Sequence, residues 1–262
     1  MFSNLDEQMQ WAFRKVVVLF GKEILDVVPG RVSTEVNPGF SYDTEKSINE
    51  VLKVMELYQE VGIEKERILF KICSTWEGMK AAKILENQHG LHCNMTLIFS
   101  KYQAIAAAES CATLVSPFVG RIYDYYKSKD PNYNKEGVND EGVISVTEIF
   151  YYFKKHNIKT QVMGASFRNV KQIIALNGCD LLTISPNLME ELTEMKNPDT
   201  TIYLDDTQVK EMDIPKVTIN EKSFSDNVYN HDMAGFKLKE GIDKFIQDAE
   251  KLSEMLRNLL IK

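Results

Sequence analysis

Positive charge is in deficit in this chain of 262 residues, where 31 Lys and Arg face 38 Asp and Glu for a net charge of −7. A chain with no basic stripe and no long block of like charge is not built to track a nucleic-acid backbone, so no nucleic-acid partner is expected. Long hydrophobic runs are also absent. No stretch comes near the ~18 apolar residues of a membrane span, and no membrane association is expected. The opening "MFSNLDEQMQWAFRK" carries acidic residues and lacks a basic start, an apolar h-region and a small-residue cleavage site. These absences predict a cytoplasmic protein.

Cysteine is scarce as well. The four, Cys73, Cys93, Cys111 and Cys179, form no CxxC pair and have no histidine at ligand spacing, so they read as reduced thiols in the core. The histidines, His89, His92, His156 and His231, are dispersed, and no metal site is predicted from them. A glycine-rich GxGxxG turn, the usual mark of an open dinucleotide-binding sheet, is missing.

What is present is an ordinary globular composition, 44% apolar and 26% charged, in a length that suits a single domain over 1–262. Short β-branched runs alternate with amphipathic ones. Strands are predicted at 31–36, 67–72, 92–99, 113–118, 159–166 and 180–185. Helices are predicted over about 44–61, 77–88, 101–110, 144–155, 168–177 and 187–195. "YKSKDPNYNKEGVNDEG" reads as a polar insertion, and "PKVTI" is at most a short strand. Residues 1–30 read as helical, and 236–262 as a long amphipathic helix. Trp76 is expected to open or pack the helix after the second strand, and "FYYF" at 150–153 to pack an outer helix on the core.

Strict βα alternation implies a parallel sheet covered by helices. Polar residues at the ends of many strands favour a (β/α)8 barrel of the TIM type over an open sheet. Only about six βα units can be identified where the closed barrel has eight, so the expectation is an N-terminally incomplete barrel.

The strand "RILFKI" carries Lys71 inside an apolar run. A desolvated lysine can be neutral and nucleophilic toward a carbonyl, forming a Schiff base that acts as an electron sink without any cofactor. The plain alternative is an ammonium paired with a carboxylate at the strand end. Glu35, at the end of the first strand, could handle protons through a water shared with Thr96. Its plain alternative is a salt bridge to Lys71 or Arg31. Arg121 and Arg168 each follow a later strand, and Ser166 is expected at the head of a helix. Together they suit a phosphate, although single arginines of this kind also serve as ordinary surface or salt-bridge residues.

The motifs "GRVSTEV", "ILFKICSTWEG", "HCNMTLIFS", "SPFVGRI", "VMGASFRN" and "CDLLTISP", in that order, closely resemble the successive strand motifs of the transaldolase family. The resemblance implies a class I aldolase barrel of the pentose phosphate pathway that acts on sugar phosphates. Such an enzyme moves a dihydroxyacetone unit from sedoheptulose 7-phosphate to glyceraldehyde 3-phosphate, giving erythrose 4-phosphate and fructose 6-phosphate. By motif it implies Lys71 as the Schiff-base lysine and Glu35 with Thr96 as holders of the catalytic water. It also implies Asn94 and Ser116 on donor hydroxyls, Phe118 lining the pocket, and Arg121, Ser166 and Arg168 on phosphate. Family habit implies a monomer or a homodimer. Two family motifs, a "DTGD"-like aspartate and the "TTNP" asparagine, have no counterpart in these 262 residues. The alternative expectation is therefore a catalytically impaired short form acting as a non-enzymatic binding protein.

Overall fold

The computed structural model describes residues 4–260. The helical spans expected over 1–30 and 236–262 extend to residues 1–3 and 261–262, which lie outside the described residues. The chain packs as two compact units, one of residues 1–94 with 240–262 and one of residues 95–239.

The first unit opens with α1 (Leu5–Val27), whose N-cap Asn4 accepts a hydrogen bond from the Glu7 amide. Next come β1 (Val32–Glu35), α2 (Thr44–Glu60), β2 (Ile68–Cys73) and α3 (Trp76–Ile84). Trp76 is the first residue of α3, behind the N-cap Thr75, as the sequence predicts. The predicted helix over 77–88 ends early, because Leu85–His89 widens into a π-type turn that Gly90 closes at φ 60°. β1 and β2 run parallel, with Val32 opposite Ile68 and Glu35 opposite Lys71. Ile68, Phe70 and Ile72 are buried. Gly21 on α1 lets the Tyr58 hydroxyl approach, since a Cβ there would lie 1.9 Å from it. That hydroxyl shares a 2.6 Å hydrogen bond with Thr34.

β3 (Cys93–Ile98) begins in the first unit and continues into the second. There follow α4 (Lys101–Glu109), β4 (Leu114–Pro117), α5 (Val119–Lys129), α6 (Glu141–Lys155), β5 (Gln161–Gly164), α7 (Val170–Ile174), β6 (Leu181–Leu182) and α8 (Pro186–Glu194). The short α9 (Glu221–Phe224) leads to α10 (Asp232–Leu260), which starts a turn before the predicted 236. In the second unit β4 pairs with β5 and β5 with β6, all parallel.

The strands follow one another in chain order, β1 to β6, each succeeded by a helix. This is α/β architecture of the TIM-barrel type, with six strands among the described residues. No helix among them is long and apolar enough to cross a membrane.

Three further expectations need correction, those for the polar insertion, for the strand over 180–185 and for the cysteines. "YKSKDPNYNKEGVNDEG" is not wholly an insertion, since its first residues complete α5, which buries Val119, Gly120 and Ile122 while its tyrosines and lysines mask the pattern. "PKVTI", expected to be at most a short strand, forms none. The Tyr152 hydroxyl instead receives the Val217 amide and donates to the Val217 carbonyl. The predicted strand over 180–185 shrinks to Leu181–Leu182, as Ser185 becomes the N-cap of α8 with Pro186 in its first turn. Among the cysteines Cys73 and Cys93 are buried, but Cys179 is half-buried and Cys111 exposed. Cys111 ends a helix in a left-handed turn at φ 63°, a position that faces solvent whatever the side chain.

Candidate functional site

In the first unit, parallel register places Glu35 and Lys71 side by side at the C-terminal ends of β1 and β2. The Lys71 Nζ lies 3.8 Å from Glu35 Oε2, with the side chains 24% and 37% exposed. Lys71 is thus less buried than its apolar neighbours suggest. Strand alternation turns Phe70 and Ile72 inward while Lys71 opens to the other face. Arg31, the other partner foreseen for Glu35, donates to the Glu66 carbonyl instead. The ring of Phe245, on α10, lies 5.7 Å from Lys71 Nζ. Asn94 is buried at the start of β3 and donates to Ser33 Oγ at 3.0 Å.

Two residues beyond Lys71, burial pushes the Cys73 thiol up from 9.0 to about 12. A hydrogen bond with Ser41 and the nearby Lys71 charge partly oppose this shift, while Glu35 adds to it. Cys73 is therefore an inert thiol beside the lysine.

In the second unit Thr96 is completely buried, and its Oγ1 has no hydrogen-bond partner among the described residues. Such an orphaned hydroxyl suits a water or a substrate oxygen. Ser116 is buried in β4. Phe118 follows that strand, stacks edge-on against Phe99 at 5.9 Å, and has the Arg121 guanidinium 5.0 Å from its ring centre.

The β4 and β5 ends are laced together. The Val119 amide donates to the Ala165 carbonyl and the Gly120 amide to that of Ser166. Gly120 is required by this approach, because a Cβ there would meet the Ser166 carbonyl oxygen at 2.2 Å and Arg168 Cγ at 2.7 Å.

Ser166 does not head a helix as expected. It sits at φ 62° after β5, and α7 starts only at Val170 behind its N-cap Asn169. Arg168 folds back on it, with Nη1 donating to the Ser166 carbonyl at 3.1 Å. The same guanidinium grips Asp124 through Nε and Nη2, the shortest bond being 2.7 Å. Ser166 and Arg168 are thereby brought together, Arg168 is held in the salt bridge that was the plain alternative for it, and Arg121 lies over Phe118.

Two buried glutamines also escaped that reading. Gln103 Oε1 accepts from the Phe99 amide at 2.9 Å and its Nε2 donates to the Leu97 carbonyl at 3.0 Å. Leu97 is a non-glycine residue at φ 59° inside β3, a conformation that costs about 1–2 kcal/mol. Gln172 Oε1 accepts from the Arg168 amide at 2.8 Å and its Nε2 donates to Asp140 Oδ2 at 2.9 Å. The available signal was the capping-box spacing of "SKYQ" and "NVKQ", a cap residue followed three positions later by glutamine.

A cavity of about 590 Å³ in the second unit, lined by Tyr102, Tyr151, Tyr152 and Tyr203 among others, includes none of these site residues. "FYYF" packs as core, with Phe150, Tyr152 and Phe153 buried and Tyr151 half-exposed, the two tyrosines also lining this cavity. No group of three or more metal-ligating side chains occurs among the described residues.

Parallel strands in chain order, each followed by a helix, define a protein of the α/β TIM-barrel type. Residues 1–256 match the family described as Transaldolase/Fructose-6-phosphate aldolase, and the chain belongs to it, as one of its transaldolases. It is 52% identical to a probable transaldolase of Drosophila melanogaster over 98% of this chain and 77% of that one. It is 52% identical to a probable transaldolase of Dictyostelium discoideum, over 97% and 79%. With the transaldolase of Homo sapiens the identity is 50%, over 96% and 74%. This kinship does not favour the alternative of a non-enzymatic binding protein.

Proposed function

We propose that this transaldolase works through a Schiff base on Lys71, transferring a dihydroxyacetone unit from sedoheptulose 7-phosphate to glyceraldehyde 3-phosphate in the cytoplasm. The observation that carries the reading is the β1–β2 register, which sets Glu35 Oε2 3.8 Å from Lys71 Nζ at adjoining strand ends.

In the neutral state the Lys71 nitrogen attacks the ketose C2 carbonyl carbon, giving a carbinolamine. Its hydroxyl leaves as water when Glu35, through a water shared with Thr96, delivers a proton to it. The resulting iminium accepts the electron pair released when the C3–C4 bond breaks, while a water takes the proton of the C4 hydroxyl and returns one to the new alkoxide when the acceptor adds. The C4 aldehyde departs, and the enamine left on Lys71 attacks the aldehyde carbon of the acceptor. Water then adds back to the iminium and frees the product and the lysine. No cofactor enters this cycle.

Asn94 and Ser116, both buried, bind donor hydroxyls, and Phe118 lines the pocket. Arg121, Ser166 and Arg168 take the phosphate, so the Asp124 carboxylate must yield Arg168 to it. A phosphate with two negative charges competes for a guanidinium whose ion pair is open to solvent, with the two side chains 38% and 42% exposed.

The test is to incubate the chain with fructose 6-phosphate and borohydride, map the adduct, and assay transfer to erythrose 4-phosphate. A reduced adduct on the peptide containing Lys71, together with transfer, is the expected result. Failure to trap any adduct there would remove Lys71 as the nucleophile.

A further inference from the structure

Gln103 and Gln172 do the same thing in two places. Each is the third residue of its helix, fully buried, and each accepts the backbone N–H of the residue four positions earlier. Each spends its own N–H on a second anchor, the Leu97 carbonyl for Gln103 and the Asp140 carboxylate for Gln172. Neither bond belongs to a helix or a sheet ladder. Both glutamines brace a segment with a left-handed residue, Leu97 inside β3 beside Thr96 and Ser166 after β5 beside Phe167 and Arg168.

Backbone held in a sparsely populated conformation persists only when its surroundings over-determine it. At Leu97 the bracing amide clasps the kink on both sides, between the carbonyl of Leu97 and the amide of Phe99. Thr96, with its buried and unpartnered hydroxyl, is the residue directly ahead of the kink. At Arg168 the bracing amide holds the main chain from which the phosphate-binding guanidinium springs. Asp140 anchors that brace in turn and also caps α6 by accepting the Gly142 amide at 2.7 Å.

We infer that Gln103 and Gln172 are positioning residues with separate duties: Gln103 sets Thr96 for imine formation, and Gln172 sets Arg168 for the donor phosphate. The inference rests on the roles assigned to Thr96 and Arg168 above. It predicts a division that general loosening of the fold would not produce. Losing Gln103 slows the chemistry on any donor, whereas losing Gln172 weakens only donors that carry phosphate.

The experiment measures borohydride trapping on Lys71 against donor concentration, with fructose 6-phosphate and with fructose, and checks each variant for folding by circular dichroism. For Gln103→Met the maximal trapping rate should fall about tenfold or more with both donors, with half-saturation unchanged. For Gln172→Met half-saturation should rise about tenfold for fructose 6-phosphate and stay put for fructose. Adding Gln103→Met to Thr96→Ala, or Gln172→Met to Arg168→Met, should cause little further loss, because members of one unit are not additive.

Should either methionine variant fail to fold, Gln103→Glu and Gln172→Glu keep the acceptor, lose the donated bond, and are expected to move in the same directions. A folded Gln103 variant that traps at the parent rate, a Gln172 variant that affects both donors alike, or multiplicative losses in the double variants would overturn the inference. If Thr96→Ala or Arg168→Met itself behaves like the parent, the underlying role assignment falls and takes that half of the inference with it. Impaired single variants with multiplicative cycles refute the inference alone.

Discussion

The ring of Phe245, far along the C-terminal helix α10, lies 5.7 Å from the Lys71 ammonium on β2. A cation at that distance from an aromatic face is held by about 0.5–1 kcal/mol at a partly exposed site. Phe245→Leu keeps the apolar bulk and removes the quadrupole. The maximal rate of adduct formation with fructose 6-phosphate is expected to change by about two- to fivefold, with unfolding midpoints preserved. An unchanged rate would show that the ring only fills space.

Glu35→Gln removes the proton-handling carboxylate while leaving a side chain of the same shape beside Lys71. Trapping and transfer should both slow by about 10²–10⁴-fold. Restoration of most of the rate by the amide would argue that Glu35 is merely the salt-bridge partner of the lysine.

Gly120→Ala places a methyl group 2.2 Å from the Ser166 carbonyl oxygen, and the β4 and β5 ends must separate. Overpacking of this kind costs about 1–3 kcal/mol. Half-saturation by fructose 6-phosphate should rise by an order of magnitude, with fructose much less affected. Steady-state titration with the two donors separates these outcomes.

Arg14 and Glu50 join α1 to α2 through a bidentate pair with a shortest bond of 2.6 Å, and both side chains are almost entirely covered. Glu50→Ala strands the guanidinium and should cost about 3–5 kcal/mol in urea unfolding. The double change Arg14→Met with Glu50→Leu should recover most of that loss, because neither charge is then left unpaired.

Burial raises the Cys73 thiol to about 12 from its ordinary 9.0, and pushes Cys93 well above the same value. Between those pH values the unfolded chain gives up thiol protons that the folded chain retains, so stability falls as pH rises through the window and is full below 9. Urea midpoints should drop from pH 8 to pH 10.5, and by less in Cys73→Ala. In the native state at pH 8 a thiol reagent should modify the exposed Cys111 rapidly and leave Cys73 and Cys93 untouched.

The order of strands and helices, and the polar residues on or just after several strands, were legible in the sequence because periodicity is a local property. Apolar residues at two- and 3.6-residue spacing need no knowledge of the rest of the chain. The lysine, the glutamate, Thr96 and both arginines could therefore be named from their places within or just after apolar runs. Where α5 was missed, its tyrosine-rich face hid a helix whose buried side is only Val119, Gly120 and Ile122.

Tertiary structure alone decided the rest. Whether Glu35 meets Lys71 or Arg31 depends on the β1–β2 register, which two segments more than thirty residues apart fix together. Whether Arg168 is free or engaged depends on Asp124 on another helix. The left-handed turns at Leu97 and Ser166 and the glutamines that brace them break the local rules. Their cost is met by hydrogen bonds and packing that exist only once the chain has folded.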